Sequence, residues 1–311
     1  MKNNFWQQLE KPIIALAPMA GVNDLAFRHV CKSFGADVIY SEMASATALA
    51  RNPEKTLKML EFEQVDRPYV IQIFGSKVED FSPAVKRLEK ELDFDGIDIN
   101  FGCPVNKVIK QGAGAILMQE KLAAKKIIAK TLEVASLPVS IKTRIKSGEV
   151  EVLDFLKYIQ DLPVSALMIH GRSLSQGFVG EIDYRVIKKA RKYFSGIILA
   201  NGGINNYSQA EKTLKLTRSD GLGIARGALG RPWLFKEIKE GKELELSLSE
   251  IASVALKQTK LAYKYRQDSG IKEMRKHLAW YMQNFPGAKN LRNKLIKVES
   301  LKDVETILKN I

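Results

Sequence analysis

The sequence predicts an α/β fold, a (β/α)8 TIM barrel, followed by a small C-terminal all-helical domain. Three observations carry this. Short apolar runs rich in Val and Ile recur eight times, each followed by a longer segment with apolar residues three and four apart, the alternation expected of βα units. The runs lack polar alternation until their final residues, which suits parallel strands covered on both faces. From residue 241 onward the strand signal stops.

In chain order the strand-like runs are PIIALAPM (12–19), VIYSEM (38–43), PYVIQIFG (68–75), GIDINFG (96–102), PVSIKTRI (138–145), ALMIHGR (166–172), GIILANGGI (196–204) and DGLGIARGAL (220–229). Between them lie helical segments such as DLAFRHVCKSFG, VEDFSPAVKRLEKEL, EKLAAKKIIAKTLEVAS, VEVLDFLKYIQDL, DYRVIKKARKYF and NYSQAEKTLKLTR. Several open with an Asp, Asn or Glu suited to a first turn. Eight parallel strands within residues 1–240 match a closed barrel better than a doubly wound open sheet. No GxGxxG turn follows the first strand, which weighs against a dinucleotide-binding half. Residues 241–311 read as a separate helical domain, with Gly270, Pro286 and Gly287 as breaks.

The composition, 45% hydrophobic and 27% charged over 311 residues, is that of an ordinary globular protein with no bias toward disorder. Two distant cysteines make neither a disulfide framework nor a metal-ligand spacing. The N-terminal apolar stretch is short and lacks a basic flank, so no signal peptide is expected, and no run approaches the roughly 20 apolar residues that span a bilayer. A reducing, cytoplasmic setting follows as an expectation, with no membrane and no metal; nothing in the sequence reads out an oligomeric state, and a monomer is the default expectation. The net charge of +14 attracts polyanions and releases their counterions on binding, which points to nucleic acid ahead of an anionic membrane surface or a merely basic protein.

In a barrel, functional groups belong at the C-terminal ends of the strands. The sequence places there Pro18-Met19-Ala20-Gly21, Gln72, Asn100-Phe101-Gly102-Cys103, Lys142 with Arg144, His170-Gly171-Arg172, Asn201-Gly202-Gly203 and Ala225-Arg226-Gly227. Glycines beside Asn201 and Arg226, after the last two strands, suit a phosphate held by backbone N–H groups, with Arg226 as a charge partner. Lys142 points inward from a strand, where an unpaired ammonium is costly. A structural salt bridge would satisfy it. So would a reduced flavin, negative at its N1–C2 edge, with Gln72 and Asn100 offering amide hydrogen bonds to the ring. His170 could donate to phosphate or to a flavin carbonyl, or serve as an acid. His29 and His277 lie in helical segments and read as surface or core residues, and Cys31 as a buried small hydrophobe.

Together these residues resemble the tRNA-dihydrouridine synthase family. The matching stretches are LAPMAGVNDLAFR, IQIFG, DINFGCPVNKVIKQGAGAIL, IKTRI, HGRSLSQGFVGEID, ANGGI, ARGALGRPW and MRKHLAWYMQNFPGAKNLR, in order from residue 13 to residue 293. The resemblance implies an FMN-dependent barrel with a helical tRNA-binding domain, reducing the C5–C6 double bond of particular uridines with NADPH as electron source. It assigns FMN contacts to Pro18, Met19, Ala20, Gln72, Lys142, His170, Asn201, Gly202, Gly203, Ala225 and Arg226, and the proton donor to Cys103. The chain departs from the family where Asn-Gly-Asp is usual and it has Asn201-Gly202-Gly203, where Gly-Arg is usual and it has Ala225-Arg226, and at Ser173-Leu174.

A uridine within folded tRNA must be turned out of its stack, so the protein must grip RNA widely. Residues 272–297 interleave Arg275, Lys276, His277, Lys289, Arg292, Lys294 and Lys297 with Trp280, Tyr281 and Phe285, suiting phosphate contacts with some stacking, or a helix with its aromatics turned inward. Lys107, Arg144, Arg172, Arg275, Lys276, Lys289 and Arg292 are the expected RNA contacts. Two rivals share parts of this pattern: a flavin barrel acting on a small molecule, such as a dihydroorotate dehydrogenase, and a non-catalytic RNA-binding barrel. Binding of tRNA is expected to weaken steeply as salt rises in a filter-binding titration, and a flat response would remove the electrostatic reading.

Overall fold

The computed structural model describes residues 4–309 and 311. The chain forms two compact units. The first comprises residues up to Asn23, Asp37–Ile204 and Ser208–Ala225. Its strands are β1 (Ile13–Leu16), β2 (Val38–Tyr40), β3 (Tyr69–Phe74), β4 (Gly96–Phe101), β5 (Val139–Arg144), β6 (Ala166–His170), β7 (Ile197–Asn201) and β8 (Gly221–Ile224). All pair in parallel with their neighbours in sequence, β8 pairs with β1, and the β2–β3 pairing completes the ring. The sequence-predicted strands are therefore present, each shorter than its predicted run: Gln72, Asn100, Lys142, Arg144, His170 and Asn201 stay within their strands, and Cys103 and the glycines beyond them form the loops of the mouth.

Alternation along each strand turns every second side chain inward, and the inward-facing residues form an apolar and a polar group. Ile13, Ala15, Ala17, Val38, Tyr40, Val70, Ala166, Met168, Ile197 and Leu199 form one apolar cluster with Trp6. Trp6 sits on a short turn, Phe5–Gln7, capped by the Asn4 side chain. Toward the C-terminal end, the register aligns Gln72 with Asp98, Asn100 with Lys142, Arg144 with His170, and His170 with Asn201. This layer is polar. On β8 the inward positions must be glycine: a Cβ on Gly221 would fall 2.0 Å from the Ile13 carbonyl oxygen, and one on Gly223 would fall 2.6 Å from Met168 Sδ.

The second unit comprises Asp24–Ala36, Asn205–Tyr207 and Arg226–Ile311. Its helix Leu25–Ser33 is capped by Asp24, whose carboxylate accepts from the Phe27 N–H at 2.8 Å. That helix packs on a long helical segment, Leu248–Tyr281, opened by a reciprocal Ser247–Glu250 capping box. The segment bends at Gln267, which has φ +51°, and the sequence-predicted break at Gly270 lies inside the second arm. Glycine is required there for packing rather than for a turn, because a Cβ on it would lie 2.2 Å from the Ala262 carbonyl oxygen of the first arm. Gly287, at φ +83°, precedes the helix Ala288–Leu295 as expected of a break, and Leu301–Leu308 closes the unit.

Cys31 and His277 are core residues of this unit, His277 lying 3.5 Å from the Asp24 carboxylate. Among the described residues, no helix is long and apolar enough to cross a membrane, and no group of three or more His, Cys, Asp or Glu side chains could hold a metal ion.

Candidate active site at the mouth of the barrel

Cys103 sits two residues beyond the end of β4, half-buried, on the turn leading to the short helix Asn106–Ile109. Its backbone is held from two sides. The Gly102 and Cys103 N–H groups donate to Asn100 Oδ1 at 3.0 and 2.9 Å. The Cys103 carbonyl accepts from the Ala115 N–H at 3.0 Å. Gly114, at φ +68°, permits that approach, since a Cβ there would stand 2.8 Å from the Cys103 carbonyl oxygen and 2.9 Å from Val108 Cγ1. Burial pushes the Cys103 thiol above the ordinary cysteine range, while the Val105 N–H and the charges of Arg144 and Lys142 pull the other way.

Below the turn lies a chain of buried amides. Asn100 Nδ2 donates to Gln72 Oε1 at 2.7 Å, and Gln72 Nε2 donates to Asp98 Oδ2 at 2.7 Å. The other Asp98 oxygen accepts from Ser140 Oγ at 2.7 Å. Burial lifts the Asp98 carboxyl to about 6 despite these donors and the nearby Lys142 charge. Asp98 was not among the expected site residues, although it alternates with Asn100 on the inward face of β4.

Lys142 Nζ donates to Asn201 Oδ1 at 3.2 Å, and Asn201 Nδ2 donates to the Gly223 carbonyl at 2.7 Å. Burial and the neighbouring Arg144 lower the Lys142 ammonium to about 8, with Asp98 and Cys103 opposing. A buried cation sharing an amide oxygen calls for an anionic or carbonyl-rich partner above it. Next to it, Gly202 and Gly203 take φ +106° and +68°, and a Cβ on Gly202 would stand 2.5 Å from the His170 ring. Two successive left-handed glycines form a backbone cradle that side chains would fill. The donor set and the cradle therefore fit a flat, anionic cofactor held at this end of the barrel.

The remaining sequence-predicted residues fall as follows. Pro18 and Met19 are half-buried and Ala20 exposed after β1, and Ala225 is half-buried after β8. Arg226 is exposed and opens the turn Arg226–Ala228, within the second unit. Arg144, expected among the RNA contacts, is 1% exposed. Its Nε donates to the Gly102 carbonyl at 2.8 Å and its Nη1 to Ser173 and Gly177 carbonyls at 2.9 and 2.7 Å, with the guanidinium over the Phe178 ring. It thus ties the Cys103 turn to the loop after β6. Arg172 Nε donates to the Gly180 carbonyl at 2.8 Å in the same loop.

Lys107 is exposed on the helix Asn106–Ile109. In the second unit, Arg275 Nε donates to the Val298 carbonyl at 2.8 Å and Arg292 Nη1 to the Met282 carbonyl at 2.7 Å. Lys276 is half-buried. Lys289 is exposed and lines, with Gln283, Asn284, Phe285 and Arg292, an open hollow of roughly 840 Å³. His277 and Tyr281 of the same basic stretch are buried, Tyr281 donating to Gln258 Oε1 at 2.7 Å. The sequence reading also missed Asn23, fully buried, whose Nδ2 donates to the Ala17 and Tyr40 carbonyls at 2.9 and 3.0 Å and so joins the ends of β1 and β2. No local pattern marks such a tie.

Comparison with known proteins bears on the chain as a whole. A family model described as "Dihydrouridine synthase (Dus)" matches residues 15–311. A probable tRNA-dihydrouridine synthase of Aquifex aeolicus is 32% identical over 299 residues, covering 95% of this chain and 94% of its own. The tRNA-dihydrouridine synthase B of Pasteurella multocida is 35% identical over 278 residues, covering 87% and 83%. Among solved structures, an old yellow enzyme homologue from Zymomonas mobilis superposes with a TM-score of 0.55 at 12% identity, over 77% of this chain and 91% of that one. Histamine dehydrogenase from Rhizobium sp. 4-9 gives 0.57 at 13%, over 80% and 49%. At such identities these two similarities speak for the barrel fold alone.

Two outcomes follow from this geometry. Replacing Gly114 with Ala forces contacts on both Cys103 and Val108 and strains the backbone, so product formation should drop about tenfold or more while the fold survives, measured by activity alongside a thermal melt. The raised Asp98 carboxyl means that the native state holds its proton more tightly than the unfolded chain does, where the value is about 4. Its stabilising contribution is present at low pH and disappears as pH climbs through about 6. Above that, the buried charge costs on the order of 3 kcal/mol. Asp98→Asn should therefore gain on wild type in denaturant melts between pH 4 and 7 (rough bounds), and parallel curves would contradict the burial argument.

Proposed function

The chain belongs to the dihydrouridine synthase family, and from that premise we propose that it reduces the C5–C6 double bond of particular tRNA uridines to 5,6-dihydrouridine, using FMN, with NADPH as the source of electrons. The observation that carries this reading is the half-buried Cys103 on a fixed turn, near the charges of Lys142 and Arg144.

Lys142, Asn201, His170 and the Gly202-Gly203 cradle would hold the cofactor, with Pro18, Met19, Ala20, Gln72, Asn100 and Ala225 lining it. FMN, when bound, supplies the hydride that arrives at C6 of the uracil. The negative charge then sits on C5 and the C4 carbonyl oxygen, and C5 needs a proton. Cys103 provides it: the S–H bond breaks, the C5–H bond forms, and a thiolate remains. A thiol above the ordinary range is almost fully protonated at neutral pH, so each enzyme molecule is ready to donate. The thiolate left behind is favoured by the Val105 N–H and by the charges of Arg144 and Lys142, and regains its proton from solvent.

The basic helical unit and the net charge of +14 support tRNA as the substrate. Within the site reading, Lys107 and Arg172 contribute from the barrel loops, and Arg275, Lys276, Lys289 and Arg292 from the helical unit.

Cys103→Ala should retain a yellow cofactor, with flavin absorption near ~370 and ~450 nm, and should still be reduced by NADPH. Dihydrouridine formation should fall about a hundredfold or more, read by mass spectrometry of tRNA digests. Undiminished product would discard the thiol as donor. For the wild-type enzyme, the rate of product formation should hold through neutral pH and decline only on the alkaline side, as the thiol loses its proton.

A further inference from the structure

We propose that Asp98 is a positioning residue, which sets the direction of a hydrogen-bond chain running through Gln72 and Asn100 to the backbone N–H groups of Gly102 and Cys103. Its bearing on catalysis rests on Cys103 as the proton donor; the chain itself does not.

Every link fixes the next. Backbone N–H groups only donate, so Asn100 must turn Oδ1 toward Gly102 and Cys103, at 3.0 and 2.9 Å. That leaves its Nδ2 facing Gln72, which must answer with Oε1, at 2.7 Å. Gln72 then points Nε2 the other way and needs an acceptor, which Asp98 Oδ2 supplies at 2.7 Å. Reversing either amide would set NH2 against NH2 or oxygen against oxygen. Asn and Gln carry both a donor and an acceptor and can serve in either direction, whereas an ionised carboxylate only accepts. One end of the chain is therefore set by the backbone and the other by Asp98. All three side chains are buried, with Asp98 and Gln72 at 0% and 1% exposure, so an error of direction finds no relief in solvent.

Ser140 separates the role of direction from that of charge. It donates to the second Asp98 oxygen at 2.7 Å and has a second acceptor in the Ile97 carbonyl at 3.2 Å. In Asp98→Asn the new amide can accept from Gln72 with its oxygen and donate to Ser140 Oγ, with the serine turning its hydroxyl to Ile97. The direction survives. In Asp98→Leu, of similar size, no acceptor remains for Gln72 Nε2, so the buried amide carries an unsatisfied donor and is no longer held against Asn100.

The test is the alkylation rate of Cys103 by iodoacetamide in the full-length protein at fixed pH, read by peptide mass spectrometry against the buried Cys31, together with steady-state kinetics on tRNA. Asp98→Leu should loosen the turn, raising the alkylation rate roughly fivefold or more and lowering kcat roughly tenfold, with KM for tRNA within about twofold of wild type. Asp98→Asn should stay within about twofold of wild type in all three. An unchanged alkylation rate in Asp98→Leu, or an Asp98→Asn enzyme as altered as Asp98→Leu, would overturn the proposal. Should Asp98→Leu fail to fold, Gln72→Met cuts the chain at its middle link and must give the same rise in alkylation; a wild-type rate there overturns it equally. If these rates change as stated while Cys103→Ala still forms product, the proton-donor reading fails and the positioning role stands.

Discussion

The pair of hydrogen bonds from the Gly102 and Cys103 N–H groups to Asn100 Oδ1 fixes the backbone at the end of the barrel strand that carries the proposed proton donor. A loop between two barrel elements has many conformations available to it, and ordering each residue costs about 1–2 kcal/mol of backbone entropy. Here that freedom is removed on one side by the asparagine, on the other by the Ala115 N–H, and from beneath by Arg144, which grips the Gly102 carbonyl. The thiol is then presented at one place rather than averaged over many. Proton transfer to a carbon demands such placement.

The barrel divides its labour along its axis. The apolar half, from Trp6 up to Met168 and Leu199, supplies burial and holds the strands in register. The polar half above it opposes folding: burial is the largest cause moving the titration of both Asp98 and Lys142, and it moves them in opposite directions. Stability surrendered at a functional site and recovered elsewhere is a general feature of enzymes. The polar layer persists because each member completes another. Lys142 uses Asn201, Asn201 uses the Gly223 carbonyl, and Asp98 uses Gln72 and Ser140.

Much of this was legible in the sequence because it follows from period. Eight apolar runs gave eight strands, and the polar residues at their ends became the mouth. Asp98 was within reach of the same rule, lying two residues before Asn100 and hence on the same inward face, but its position inside an apolar strand drew no notice. Arg144 shows where residue type misleads. A guanidinium near a predicted site suggests phosphate, yet its place two residues beyond Lys142 turns it inward, where backbone carbonyls claim it. In the basic stretch after residue 272, His277 and Tyr281 are four apart and share the buried face of their helix, so only part of that stretch meets solvent. Gly270 and Gln267 could not be separated locally: the glycine is demanded by Ala262 across the bend, and nothing in a single sequence reports a contact between two helices before they are folded.

The central claim is that Cys103 is a neutral thiol when the enzyme works. The most direct measurement is a titration of that thiol alone, following its reactivity toward an alkylating agent from pH 6 to pH 11 (rough bounds) with the cofactor site intact. The structure predicts an inflection above the ordinary cysteine range. An inflection below about 6 would mean mostly thiolate at working pH, with no proton to give, and would contradict the account.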